Sequence, residues 1–272
     1  MRALVCILLL CVGAPAVAGN FEIPKSEVVF SFRQLATLSK GLERVLASHR
    51  AQVALIARVG LPPKVLPPGV EYSHSGFAVY SRIRTGDGRL VPGYAIYSLY
   101  QRGEHTGESY LTQDYPIDYY ATSRVLKAGI ILLDPRLQRE LLDTIFSDTY
   151  PKLHNPVYSA IANPFNTRYQ NCTEFVLDVM FASIYRTGER DRIKGNIRAY
   201  FRPQPIEVDP FKLALAERRL ADVRTDDHAG PIATATFESI ARFLLKYGLA
   251  EEAFSFVVEP TTLYGERANL KL

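Results

Sequence analysis

Two runs, "HSGFAVYSRI" from His74 and "PGYAIYSLYQ" ending at Gln101, constrain the fold of this 272-residue chain more than any other feature. Both are rich in aromatic and β-branched residues, and "RTGDGRLV" lies between them. The Gly-Asp-Gly there offers positive-φ positions for a tight reversal, so the segment predicts a β-hairpin.

Helical and extended patterns alternate around it. Phe32, Leu35, Leu38, Leu42 and Val45 recur at helical spacing, which predicts an amphipathic helix over 31–48. "AQVALIARVG" reads as a strand entering the proline-rich turn "LPPKVLPPGV". After a polar, tyrosine-rich stretch over 103–120, "LKAGIILL" reads as a buried strand. Asp134 and Pro135 then start a helix with apolar face Leu137, Leu141, Leu142 and Ile145. Pro151, Asn155-Pro156 and Asn163-Pro164 signal turns, and "TFESIARFLLKYGL" and "AFSFVV" read as a closing helix and strand. The fold class is α+β.

The first residues decide how many cysteines matter. "MRALVCILLLCVGAPAVAGN" has one cation, a short apolar run, a break at Gly13 and Pro15, and small residues at Ala16 and Ala18. It reads as a secretory signal over 1–18, leaving 19–272 as one domain in the periplasm or secreted. Lipidation at Cys11 is disfavoured because bulky Leu10 precedes it. No later run is long enough to span a bilayer, so no integral membrane segment is expected after signal removal. Cys6 and Cys11 leave with the signal, and Cys172 remains as a solitary thiol, either a protected core residue or a working one.

The formal net charge is +4 and the basic residues are scattered, which argues against a nucleic-acid partner. No His, Cys, Asp or Glu spacing resembles a metal site, and no glycine-rich phosphate loop is present, so no metal and no cofactor is expected. "DDH" at 226–228 reads as a solvated loop.

"YQNCTEFVLDVM" places Cys172 where a polar loop meets a helix-spaced apolar run. Asn171 is the expected cap, Glu174 completes a capping-box-like pattern, and Phe175, Val176, Val179 and Met180 form the buried face. At the first helical position, free N–H groups and the helix dipole favour thiolate, the nucleophilic form, and can stabilise an oxyanion. A thiolate nucleophile needs a base. Of the five histidines, His49 lies at a helix end and His105, His154 and His228 in polar loops, while His74 opens a strand of apolar and small residues.

A histidine opening a strand as "HSGF", a second strand across a hairpin, and "NCTEFV" opening a helix together resemble the circularly permuted branch of the NlpC/P60 and papain-like superfamily, with histidine before cysteine. The "NC-x-x-FV" pattern is similar to the nucleophile motif of its lecithin:retinol acyltransferase-like members. The wider pattern, from "ALIARVG" through "YQNCTEFVLDVM", resembles an uncharacterised family of secreted bacterial proteins.

The superfamily resemblance implies a permuted papain-like core, an antiparallel sheet packed against the cysteine-bearing helix, with terminal extensions. It implies Cys172 as nucleophile and His74 as general base and acid. The third position falls on Ser98, a departure from the usual histidine or acid, and Gln170 and Asn171 are candidate oxyanion or site-lining residues. The implied activity is a cysteine hydrolase or acyltransferase acting on a peptide, peptidoglycan or acyl-bearing substrate. The competing reading is a non-catalytic envelope module that keeps the cleft for binding.

Overall fold

Residues 53–58, Val-Ala-Leu-Ile-Ala-Arg, are buried at every position, the pattern of a central strand covered on both faces. The computed structural model describes residues 28–103 and 105–272; the secretory signal expected over 1–18 lies outside them. In chain order the elements are α1 (Phe32–Ser48), β1 (Val53–Arg58), β2 (His74–Arg84), β3 (Leu90–Gln101), β4 (Ser109–Asp114), α2 (Pro116–Tyr120), β5 (Lys127–Leu133), α3 (Pro135–Ile145), α4 (Thr149–Lys152), α5 (Cys172–Tyr185), α6 (Arg190–Tyr200), β6 (Gln204–Pro205), α7 (Pro210–Arg219), β7 (Ala233–Thr234), α8 (Phe237–Lys246), β8 (Ala250–Val258) and β9 (Gly265–Asn269).

Seven strands form one sheet in the order β4-β3-β2-β1-β5-β8-β9, with every neighbouring pair antiparallel. Alternation along β1 divides the core in two. Val53, Leu55 and Ala57 join Phe77, Val79 and Leu99 on the side covered by α3, α5 and α8. Ala54 and Ile56 join Ala78, Tyr94 and Ile96 on the side covered by α1 and α2. The fold is thus mixed α+β, a large antiparallel sheet packed against helices. Among the described residues no helix is long and apolar enough to cross a membrane.

The hairpin forms where expected. β2 pairs with β3 from Gly76–Ser98 to Arg84–Leu90, and the reversal takes positive φ at Gly88. The first helix is capped by Ser31, whose side chain accepts from the Gln34 N–H, and its buried face is Leu35, Leu38, Leu42 and Leu46. Asp134 caps α3 by accepting from the N–H groups of Arg136 and Leu137, with Pro135 in the first turn. The polar, tyrosine-rich stretch over 103–120 contains β4 and α2.

The loop 226–228 corrects its reading as solvated. The Asp227 carboxylate is fully buried, accepts from the Asn163 N–H at 2.8 Å, and lies 3.3 Å from His228 Nε2. That nitrogen also meets the Ile161 carbonyl at 2.9 Å, so the segment pins the chain that leads toward α5.

Candidate functional site

Cys172 is the first residue of α5, as its sequence context predicts. Asn171 is the cap: its Oδ1 accepts from the N–H groups of Thr173 at 3.1 Å and Glu174 at 2.9 Å, while its carbonyl accepts from the Phe175 N–H. The reciprocal bond from Glu174 that a capping box requires is absent. A buried cation competes for that carboxylate: Lys194 on α6 donates to Glu174 at 2.7 Å and to Asp178 at 2.6 Å. Burial nevertheless pushes Glu174 up to about 8, with Lys194 opposing.

The helix is buried from Cys172 through Ser183, and this changes the expectation for the thiol. Cys172 is 5 % exposed. Its Sγ lies 3.8 Å from the carbonyl oxygen of Ser73 and 3.7 Å from Thr173 Oγ1. Burial pushes the thiol up; the Thr173 hydroxyl, the Ser75 backbone and the Arg58 guanidinium pull it down without overcoming that effect. The helix start was expected to favour thiolate. Loss of hydration outweighs it, and the resting group is a thiol.

His74 opens β2, so the backbone of residues 73–75 runs past the thiol while the imidazole belongs to the sheet's other side. Its ring packs on Tyr100 at 4.6 Å and on Tyr119 at 5.4 Å between centroids. The Tyr119 phenol donates to the His74 carbonyl at 3.1 Å. His74 Nε2 is buried with no hydrogen-bond partner, and the hydrogen bonds of Cys172 do not run to the imidazole. Burial first, and Arg58 second, hold His74 well below its ordinary range, so the ring is a neutral base.

The strand register defines a row across this face. Arg58 on β1 stands opposite His74, and Tyr110 on β4 opposite Tyr100 on β3. Ser98 falls one row further in, opposite Gly76. A Cβ on Gly76 would lie 2.9 Å from Ser98 Cβ and 2.9 Å from the Tyr97 carbonyl oxygen, so the glycine in "HSGF" is required by close strand approach. Ser98 is fully buried and its Oγ has no partner, neither His74 nor any other group.

The amides beside Cys172 have structural partners. Gln170 Nε2 donates to the Leu153 carbonyl at 3.1 Å and to Asp178 at 2.8 Å, and its Oε1 accepts from the Asn155 N–H. Asn171 Nδ2 donates to the Ala160 carbonyl and to Thr234 Oγ1. Neither amide has a donor left for an oxyanion. Among the first N–H groups of α5, the one belonging to Cys172 itself is not taken up by Asn171.

Two groups escaped the sequence reading. Arg58 lies within "AQVALIARVG", read only as a strand entering a turn, yet it is buried beside His74, its guanidinium 5.5 Å from the Tyr100 ring centroid and 5.2 Å from that of Tyr119. Asp114 at the end of β4 hydrogen-bonds Tyr100 and is itself pushed up by burial. An acid therefore stands behind the histidine row, two strands from His74 rather than one. Among the described residues no group of three or more His, Cys, Asp or Glu side chains is placed to hold a metal ion.

The chain has no significant match among curated proteins or solved structures. Residues 45–244 match a family described as uncharacterized protein conserved in bacteria, DUF2145, and the span contains Arg58, His74, Ser98 and Cys172. The chain belongs to that bacterial family.

Proposed function

We propose that the protein is an exported cysteine-dependent hydrolase or acyltransferase that opens an amide, peptide or ester bond at Cys172, on a core arranged as in the permuted papain-like proteins. The observation that carries this reading is the meeting of two segments. Cys172 begins α5 with its Sγ 3.8 Å from the carbonyl of Ser73, the residue immediately before His74. A thiol and a free helix-start N–H thereby meet the strand end that carries a neutral histidine, whose ring lies on the sheet's other face.

The chemistry follows from those groups. As Sγ bonds to the substrate's carbonyl carbon, its proton passes to the His74 imidazole. The carbonyl π electrons move to oxygen, where the Cys172 N–H stabilises the negative charge. Collapse of the tetrahedral intermediate breaks the bond to the amine or alcohol. That leaving group takes the proton from the imidazolium and a thioester remains on Sγ. Water or another acceptor then attacks the thioester, with His74 again the base, and the thiol is restored. The imidazole leaves this backbone toward the opposite face of the sheet from Sγ, so the proton transfer requires the end of β2 to rearrange and turn the ring toward the thiol as substrate enters.

In an exported protein, peptide stems of the cell wall or acyl-bearing envelope compounds are the fitting substrates. The burial of Cys172 favours the other reading, a binding module whose thiol only packs. Turnover of p-nitrophenyl esters and amino-acid p-nitroanilides separates the two. Cys172→Ala and His74→Ala should each abolish it, with the double variant scarcely worse than either, because both remove the same step. Wild-type turnover that survives either substitution contradicts the catalytic reading.

A further inference from the structure

Between Val208 and Leu220 the chain leaves its own core. No residue of α7 is buried, and Val208, Phe211, Leu215 and Leu220 are all exposed, Phe211 at 78 %. A single apolar side chain in water is ordinary, whereas several in one short segment mark a surface that meets something. The helix is held in place at both ends. Ahead of it β6 pairs with β7; behind it the Ala160 N–H donates to the Asp222 carbonyl at 2.8 Å, and Gln101 Nε2 donates to the Asp222 carboxylate at 2.7 Å.

The distribution of side chains around α7 says what it meets. Leu213, Ala216 and Glu217 are half-buried on the side turned to the protein, where the Glu217 carboxylate accepts from the Thr225 hydroxyl at 2.7 Å. Phe211 and Leu215, four residues apart, adjoin at the middle of the outward face. At the helical period Lys212 and Arg219 flank this ridge on one edge and Arg218 on the other, all three exposed. Among the described residues none of these cations is paired with an acid. Glu207 and Asp209 precede the helix, and Asp209 is its cap, accepting from the Lys212 N–H at 3.0 Å.

We infer that α7 docks on an anionic lipid surface, with Phe211 and Leu215 entering the boundary between headgroups and acyl chains and Lys212, Arg218 and Arg219 reaching the phosphates. A convex apolar ridge edged by unpaired cations has the form of a helix that lies in a membrane interface, its basic side chains extending from apolar stems toward the headgroups. A second copy of the chain fits less well. A symmetric contact would bring the same cations together, and so short a ridge falls below the roughly 800 Å² per partner that a stable dimer buries. Attachment of this kind needs no crossing helix, and among the described residues there is none. The inference concerns where the protein sits and is independent of the chemistry at Cys172.

The chain has no tryptophan, so Phe211→Trp places a single emitter on the ridge. That variant, begun at Gly19 so that the apolar N-terminal run contributes nothing, is titrated with vesicles of phosphatidylcholine and phosphatidylglycerol in equal parts. Its emission should shift to the blue, while that of Tyr80→Trp, exposed on β2, should stay unchanged. Added to Phe211→Trp, Leu215→Ser should weaken the association about tenfold, through lost apolar burial. Lys212→Gln should weaken it about fivefold, the contribution of one basic residue near an anionic surface. Both positions are exposed, so neither change threatens the fold. The absence of a shift with the anionic vesicles, or one matched by Tyr80→Trp, overturns the assignment and leaves the ridge to a protein partner. An equal shift with phosphatidylcholine alone overturns it by removing the role of the cations. A shift that grows with protein concentration before any vesicles are added overturns it in favour of a second copy.

Discussion

Arg58 stands directly across from His74 in the register of β1 and β2, and the imidazole, buried and beside that cation, is held neutral. The relationship distinguishes this site from a thiolate–imidazolium pair. Its resting form is a thiol with a neutral imidazole, and in the proposed reaction the charges develop only as the bond to sulfur forms.

Alkylation of Cys172 should therefore follow an unusual pH dependence. Burial is the largest influence on the thiol and disfavours its charged form, so the midpoint of rate against pH should lie above the value of about 8.5 for free cysteine. Arg58 pulls the other way, and its replacement by Gln should move the midpoint higher still. Iodoacetamide rates measured across alkaline pH check both; a midpoint below the free-cysteine value contradicts the account of burial.

Ser98→Ala should leave stability unchanged or raise it by up to about 1 kcal/mol, since it removes a buried hydroxyl that has no partner. Turnover should be retained. Urea unfolding and rate measurements check this, and a loss of turnover comparable with that of His74→Ala would restore Ser98 as the orienting group.

The buried carboxylate Glu174 should give stability a pH dependence. Its folded value is raised from 4.5 to about 8, so the stability it contributes is complete below the unfolded value and is lost as pH rises through about 8. Glu174→Gln should flatten that fall, as read from urea midpoints between mildly acidic and mildly alkaline pH. Lys194→Met leaves the buried Asp178 carboxylate without its cation and should cost about 3–5 kcal/mol at neutral pH.

Asn171→Ala should destabilise the protein by about 1–2 kcal/mol, because the cap bonds to Thr173 and Glu174 disappear together. Asn171→Asp keeps the acceptor and should recover part of that loss. Equal loss in both variants would place the weight on the amide bonds to Ala160 and Thr234 instead.

Much of this architecture is legible in the sequence, and for a local reason. The hairpin, the Asp134-Pro135 start of α3 and the Asn171 cap depend on residues a few positions apart, whose turn and cap chemistry is readable in sequence. β4 was hidden because Ser109-Tyr110-Leu111-Thr112 alternates weakly and is only partly covered. Arg58 was hidden for a different reason. A cation closing a strand ordinarily reaches water, and only the pairing of β1 with β2, beneath Tyr100 and Tyr119, turns it inward beside His74. The preference of a helix start for thiolate was readable at Cys172, but not the full enclosure of α5 that reverses it.

The central claim, that Cys172 is a nucleophile served by His74, is tested most directly by intact-mass analysis of the protein quenched during reaction with p-nitrophenyl acetate. The account predicts a single acetyl adduct, mapped to Cys172 and discharged by hydroxylamine, that forms in the wild type, is slowed severely in His74→Ala and is absent from Cys172→Ala. A wild type that never acquires the adduct, or a Cys172→Ala variant that acquires it at the same rate, would contradict the claim.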